Sequence, residues 1–171
     1  MQHIVTCPHC GKPYTCYRNP LPTVDVLIYD PQRGVVLIRR RNEPLGYALP
    51  GGFIDEGECA EAAALREMRE ETGLEVRLTG LLGVYSRTDR DPRQHTLSVV
   101  FTGRALNPDE LQAGDDAAAA AFYPLDALPR PLAFDHATIL ADFLQYLEGK
   151  RFLAAVQPSQ PLQVSPDNGV C

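Results

Sequence analysis

The sequence predicts an α/β fold in which a mixed sheet lies between helices. Two observations carry this: short apolar runs bounded by turn signals, and two helical patterns set among them. VDVLIYD and GVVLIRR flank the turn signal DPQRG and read as a hairpin. The first helix is expected from about Cys59 to Thr72, with Gly73 as its C-cap. LLGVYS and LSVVFTGRAL are further strands, joined by the polar loop TDRDPRQH, and AFYPL is a later one. FDHATILADFLQYLEG reads as the second helix, capped by Asp135 and Gly149. Its apolar stripe is Ile139, Leu140, Phe143, Leu144 and Leu147.

At 171 residues the chain fits one domain with short extensions. Three zones separate: a cysteine-containing segment over 1–20, a domain over 21–150 and a flexible Pro/Ser/Gln-rich tail over 151–171. The net charge of −6 argues against a nucleic-acid partner, because no broad positive field is available. An anionic substrate must then be drawn in by local arginines or by bound cations. No apolar run reaches the roughly 18 residues of a membrane span. MQHIVTCPHC has no apolar core of a signal peptide. With cysteines that suit a reduced or metal-binding set, these features place the protein in the cytoplasm.

The most informative stretch is GGFIDEGECAEAAALREMREETGL, residues 51–74. Glu67, Glu70 and Glu71 share one helical face beside Leu65, Met68 and Thr72. Like charges at these spacings repel by roughly a few tenths of a kcal/mol per pair, so something positive is expected nearby. Arg66, Arg69 or an ion could supply it. A hard divalent cation takes oxygen ligands, and carboxylates at i and i+4 can meet one ion cluster.

Gly52, Glu58, Arg66, Glu67, Met68, Glu70, Glu71, Gly73 and Leu74 fit G-x5-E-x7-R-E-U-x-E-E-x-G-U, where U is bulky and apolar. Seven fixed residue types make a chance match on the order of one in 10⁸ per window. The stretch resembles the Nudix box, and the similarity runs from about Leu21 to Glu148. The resemblance implies a Nudix α/β/α sandwich that hydrolyses a nucleoside diphosphate linked to another group. It implies Mg²⁺, with Mn²⁺ able to substitute, held by Glu67, Glu71, the Gly51 carbonyl and an assisting Glu70. By the same resemblance Arg66 orients the glutamates and Glu58 ties loop to helix. A homodimer is expected.

The substrate must be read outside the box. RDPRQH and AFDHATIL resemble segments of the ADP-ribose branch of the family, which favours ADP-ribose as the small-molecule nucleotide substrate. The alternatives are NADH or a nucleoside triphosphate, or a non-catalytic sensor of NAD metabolites. Among Arg39, Arg40 and Arg41 two should face outward by strand alternation, and Arg40 is the candidate for the pyrophosphate. Arg93 is a second substrate-binding candidate. Tyr47, Phe53 and Tyr85 are candidates to stack on adenine, although Phe53 and Phe134 also read as core. His95 and His136 read as structural. The loop AGDDA resembles a family stretch that brings an acid to the site, which makes Asp116 a candidate base, with Glu70 the alternative. Cys7, Cys10 and Cys16 resemble part of a zinc ribbon, and Zn²⁺ there needs a fourth ligand.

Overall fold

The computed structural model describes residues 2–114 and 117–156. β1 (Gln2–Thr6) and β2 (Pro13–Tyr17) form a separate antiparallel hairpin. The remaining strands are β3 (Leu21–Asp30), β4 (Gly34–Arg40), β5 (Tyr47–Ala48), β6 (Gly51–Phe53), β7 (Val76–Tyr85), β8 (Thr96–Ala105) and β9 (Ala117–Tyr123). They make one seven-stranded mixed sheet in the order β5-β4-β3-β8-β7, with β6 added to β3 and β9 to β4. Only the β3–β8 pairing among these is parallel. α1 spans Ala60–Thr72 and α2 spans His136–Leu147.

Alternation along β3 explains the two layers. Val24, Val26 and Ile28 point to one face, where they meet Ala63, Ala64 and Met68 of α1. Leu27 points to the other, against Ile139, Leu140 and Phe143 of α2. Each such apolar side chain, fully buried, stabilises the fold by about 1.5–3 kcal/mol. Asp25 shares the parity of Leu27, so it lies on the α2 side. The hairpin turn forms where the sequence indicates: the Asp30 carboxylate accepts the amides of Gln32 (2.8 Å) and Arg33 (3.0 Å).

Several expectations need correcting. Gly73 does cap α1 in the left-handed conformation, donating to the Arg69 carbonyl. Asp135 occupies the N-cap of α2 but makes no side-chain cap, because its carboxylate is taken by Arg90. The C-cap of α2 is Glu148, one residue before Gly149. Leu144 and Leu147 are exposed, so the stripe of α2 is narrower than its periodicity suggests. The glycine stretch, not among the strands read from the sequence, adds β6, a short strand, to the sheet. Residues 151–156, counted with the tail, run beside β7, and Leu81 and Ala154 exchange backbone hydrogen bonds. The rest of that tail, 157–171, lies outside the described residues. No helix of the described residues is long and apolar enough to cross a membrane.

Candidate active site

The box folds into a loop, a short strand and a helix packed back on β3. Asp25 of β3 pairs with Gly51 and Val24 with Gly52. A Cβ at Gly51 would collide with the backbone of Val24, so only glycine permits this register. A Cβ at Gly52 would overlap the Glu67 carboxylate. Together the two glycines let α1 bring its carboxylates against the strand backbone.

Arg66 answers most of the charge crowding. Its guanidinium donates to Glu58 (2.9 Å), Glu67 (2.7 Å), Glu70 (3.1 Å) and the Phe53 carbonyl (2.9 Å). Glu58 also accepts the Asp55 amide, so loop and helix are tied through it. Arg69 points elsewhere, to Glu75. Glu71 is the exception: among the described residues no ion pair reaches it. Its Oε2 accepts the Gly51 amide at 2.9 Å. Burial, with Glu67 and Asp25 nearby, pushes its carboxyl up to about 7 against the pull of that amide and of Arg40. Burial also raises Glu67, opposed by Arg66.

This donor set fits a hydrated divalent cation. Mg²⁺ typically takes one or two protein carboxylates and fills its octahedron with water and substrate phosphate. Glu71 and Glu67, which line one cleft with Gly51, offer that number. No group of three or more His, Cys, Asp or Glu is arranged to hold a metal among the described residues. The described residues alone therefore form no closed cage of carboxylates. Among the described residues the cysteines of the zinc expectation do not form such a group either. Cys7 and Cys10 lie in or beside the turn of the β1–β2 hairpin, whereas Cys16 stands on β2 opposite His3. The described cysteines are free thiols.

Glu71 sets a testable pH dependence. Its folded-state pKa, about 7, lies above the ordinary 4.5, so the folded chain keeps a proton that the unfolded chain has lost. Stability from this group is full below about pH 4.5 and is lost as pH rises toward 7. A cation bound at the carboxylate would remove that penalty. Thermal melts should show a larger Mg²⁺-induced rise in Tm at about pH 8 than at about pH 5.5. Equal shifts at both pH values would refute the placement of the ion.

The cleft that holds the carboxylates is also lined by arginines. Its volume is about 400 Å³, and Asp25, Arg40, Gly51, Glu67, Glu71, Arg90, Asp91, Arg93, Phe134 and His136 are among its lining residues. Arg40 is partly buried while Arg39 and Arg41 are exposed, as strand alternation requires. Arg40 donates to the carbonyls of Pro44 (2.8 Å) and Glu43 (3.4 Å). Arg93 is held by Asp91 through two N–H groups, at 3.0 and 2.8 Å.

Under the cleft lies a buried polar network that the sequence reading missed. Arg90 donates to Asp135 (2.9 Å), Thr96 (3.0 Å) and Asp25 (3.4 Å). Asp25 also accepts the Ser98 hydroxyl. The Leu49 amide donates to His136 Nδ1 at 2.9 Å, which leaves the ring proton on Nε2, 3.4 Å from Asp25 Oδ1. Burial works to raise Asp25, but His136, Ser98 and Arg90 together hold it below the ordinary carboxylate range. The network pins the Leu49–Gly51 segment from beneath.

The aromatic candidates are not brought together. Tyr85 donates its hydroxyl to Asp142 Oδ2 at 2.7 Å, and its ring packs against the α2-side core. Tyr47 meets Tyr123 edge-on. Neither lines the cleft. Phe53 does line it and is 44% exposed, so it is not core. Phe134 also lines it. Asp116 lies outside the described residues, as does Asp115.

Carboxylates and arginines lining one cleft suit an enzyme that works on phosphoanhydrides. The family model of the NUDIX domain matches residues 19–143, and the chain belongs to that family, as a Nudix pyrophosphohydrolase. An ADP-ribose pyrophosphatase of Methanocaldococcus jannaschii is 46% identical over 140 residues, covering 81% of this chain and 81% of that protein. The NUDIX domain of Shewanella oneidensis NrtR, solved with ADP ribose, is similar with a TM-score of 0.64 and 28% identity. That match covers 77% of this chain and 90% of the other. A MutT/nudix family protein from Enterococcus faecalis gives a TM-score of 0.63 at 30% identity, over 77% of this chain and 64% of that one.

Proposed function

We propose that the protein hydrolyses the diphosphate bridge of ADP-ribose, giving AMP and ribose 5-phosphate, with Mg²⁺ as its cation and Mn²⁺ able to replace it. The observation that carries this reading is a single cleft lined by the Glu67 and Glu71 carboxylates together with the Arg40 guanidinium, suited to a cation and a phosphate side by side. The choice of ADP-ribose is supported by the M. jannaschii pyrophosphatase, similar over most of both chains.

Glu67, Glu71 and the Gly51 carbonyl would hold the cation, with Glu70 assisting. When bound, it would neutralise phosphate oxygens and lower the pKa of the attacking water. Arg66 keeps Glu67 and Glu70 in one orientation, so the carboxylates need no rearrangement on binding. Arg40 lines the same cleft as Glu71 and lowers its pKa, so it would add positive charge where a phosphate is held. The Asp25–Arg90–His136 network fixes the backbone from which the Gly51 carbonyl projects. We place the enzyme in the cytoplasm, as a homodimer that light scattering would reveal.

The test is a panel of ADP-ribose, NADH, nucleoside triphosphates and sugar nucleotides with Mg²⁺, its products separated by chromatography. AMP and ribose 5-phosphate should appear fastest. Preferred cleavage of NADH or a triphosphate would reassign the substrate. Binding of ADP-ribose without turnover would leave a sensor.

A further inference from the structure

We infer that Arg93, backed by Phe134, is the stacking platform for the nucleobase, a role distinct from phosphate binding. The inference rests on the proposed nucleotide substrate and names which part of it this end of the cleft receives.

Three observations lead here. First, the edge of the Arg93 guanidinium is already engaged. Nε and Nη2 donate to the two oxygens of Asp91, and Nη1 donates to the Glu43 carbonyl at 3.3 Å. A guanidinium has five N–H donors, and bidentate phosphate binding uses two of them on one edge. The edge formed by Nε and Nη2 is the one that Asp91 occupies.

Second, the charge is answered locally. The Asp91 side chain is 4% exposed and lies 2.8 Å from Arg93, so a phosphate placed there would also meet a buried carboxylate. A neutral base meets no such repulsion.

Third, Arg93 is nonetheless 44% exposed and lines the cleft. Its Cζ lies 5.5 Å from the centroid of the Phe134 ring. With its edges tied and its Cζ over the Phe134 ring, the part of the guanidinium left for a ligand in the cleft is its flat face. Bases stack on such planes through dispersion and cation–π attraction.

Phe134 is held in a conformation that side chains other than glycine rarely take, with φ of 56°. Such strain persists where the surroundings require the side chain in one place. Here the ring also carries Arg40, whose Cζ is 4.8 Å from the centroid. Phe134 thus sets both guanidiniums: Arg40 on the side of Glu71, where phosphate is expected, and Arg93 for the base.

The test separates base from phosphate. Two ligands that should not turn over, 1,N6-etheno-ADP and methylenediphosphonate, are titrated as competitive inhibitors of ADP-ribose hydrolysis. Arg93→Lys keeps the charge and removes the plane. It should raise the Ki of etheno-ADP about tenfold (about 1.4 kcal/mol). The Ki of methylenediphosphonate, which has no base, should stay within about twofold. Phe134→Leu loosens Arg40 as well as Arg93, so it should raise the Ki of both ligands but that of etheno-ADP more, and Phe134→Tyr should restore the wild-type values. A parallel rise for both ligands would make Arg93 a phosphate contact and overturn the inference. No rise for either would also overturn it. If Arg93→Lys does not fold, the Phe134→Leu pattern decides. If the wild type hydrolyses no ADP-ribose, the proposed function fails. The etheno-ADP fluorescence change in wild type and variants then still judges the platform.

Discussion

Glu71→Gln should lower kcat by about 10³-fold or more while leaving the protein folded. The substitution keeps the shape of the side chain, and its amide oxygen can still accept the Gly51 N–H that now reaches Glu71 Oε2. What it removes is a negative charge that, among the described residues, no ion pair reaches. The same charge is unfavourable in the cation-free fold, where burial pushes the carboxyl up to about 7. The variant should therefore melt at the same or a higher temperature than wild type in EDTA near pH 8, and lose the extra Mg²⁺-induced stabilisation. That pairing separates loss of function from loss of fold. A variant that keeps more than about a tenth of the wild-type kcat would sink the assignment, since tenfold is only about 1.4 kcal/mol.

The contrast between Glu71 and the network under it shows what a sequence can display. Glu67, Glu70 and Glu71 lie within five residues, and helical spacing alone puts them on one face. The hairpin, the order of the strands around the loop at 86–95 and both helices follow from equally local patterns. Asp25, Arg90, Asp135 and His136 are different, because they come from β3, a loop and the start of α2. No periodicity links them, and the cue available was the run of charged residues in RDPR. Asp135 illustrates the ambiguity: local rules make it a helix cap, but a buried arginine competes for its carboxylate and takes it.

The aromatic residues failed for a related reason. Tyr47 and Tyr85 follow strand patterns that say which residues alternate, while which face meets the cleft depends on the partners of each strand. Tyr85 is drawn to Asp142 of α2, and Tyr47 to Tyr123 of β9. Phe134 sits in a short turn before α2 with a positive φ, which apolar patterning does not anticipate. Its place beside two arginines is a property of tertiary structure.

Asp116→Asn should lower kcat by about 10²-fold with KM little changed, the range for losing a general base. The described glutamates leave room for such a group. Glu67 and Glu70 are engaged by Arg66, and Glu71 by the Gly51 amide. A base must come within hydrogen-bond reach of the attacking water with an oxygen able to take its proton. Glu70 is the box residue best able to do so, because its side chain is the most exposed of the three. The loop before β9 offers the alternative, since it is anchored to the end of α1. The Gln112 amide donates to the Thr72 carbonyl at 3.0 Å, and the Gly114 amide to the Glu71 carbonyl at 2.9 Å. A Cβ at Gly114 would collide with the Glu70 carbonyl, so the approach depends on glycine. That anchor lies two residues before Asp116 in the chain. Gly114→Ala should therefore reduce kcat as well, by displacing the loop without altering any acid. If Asp116→Asn and Gly114→Ala both keep the wild-type kcat while Glu70→Gln loses about 10²-fold, the proton is taken at the Glu70 carboxylate, and the loop has no part in the chemistry.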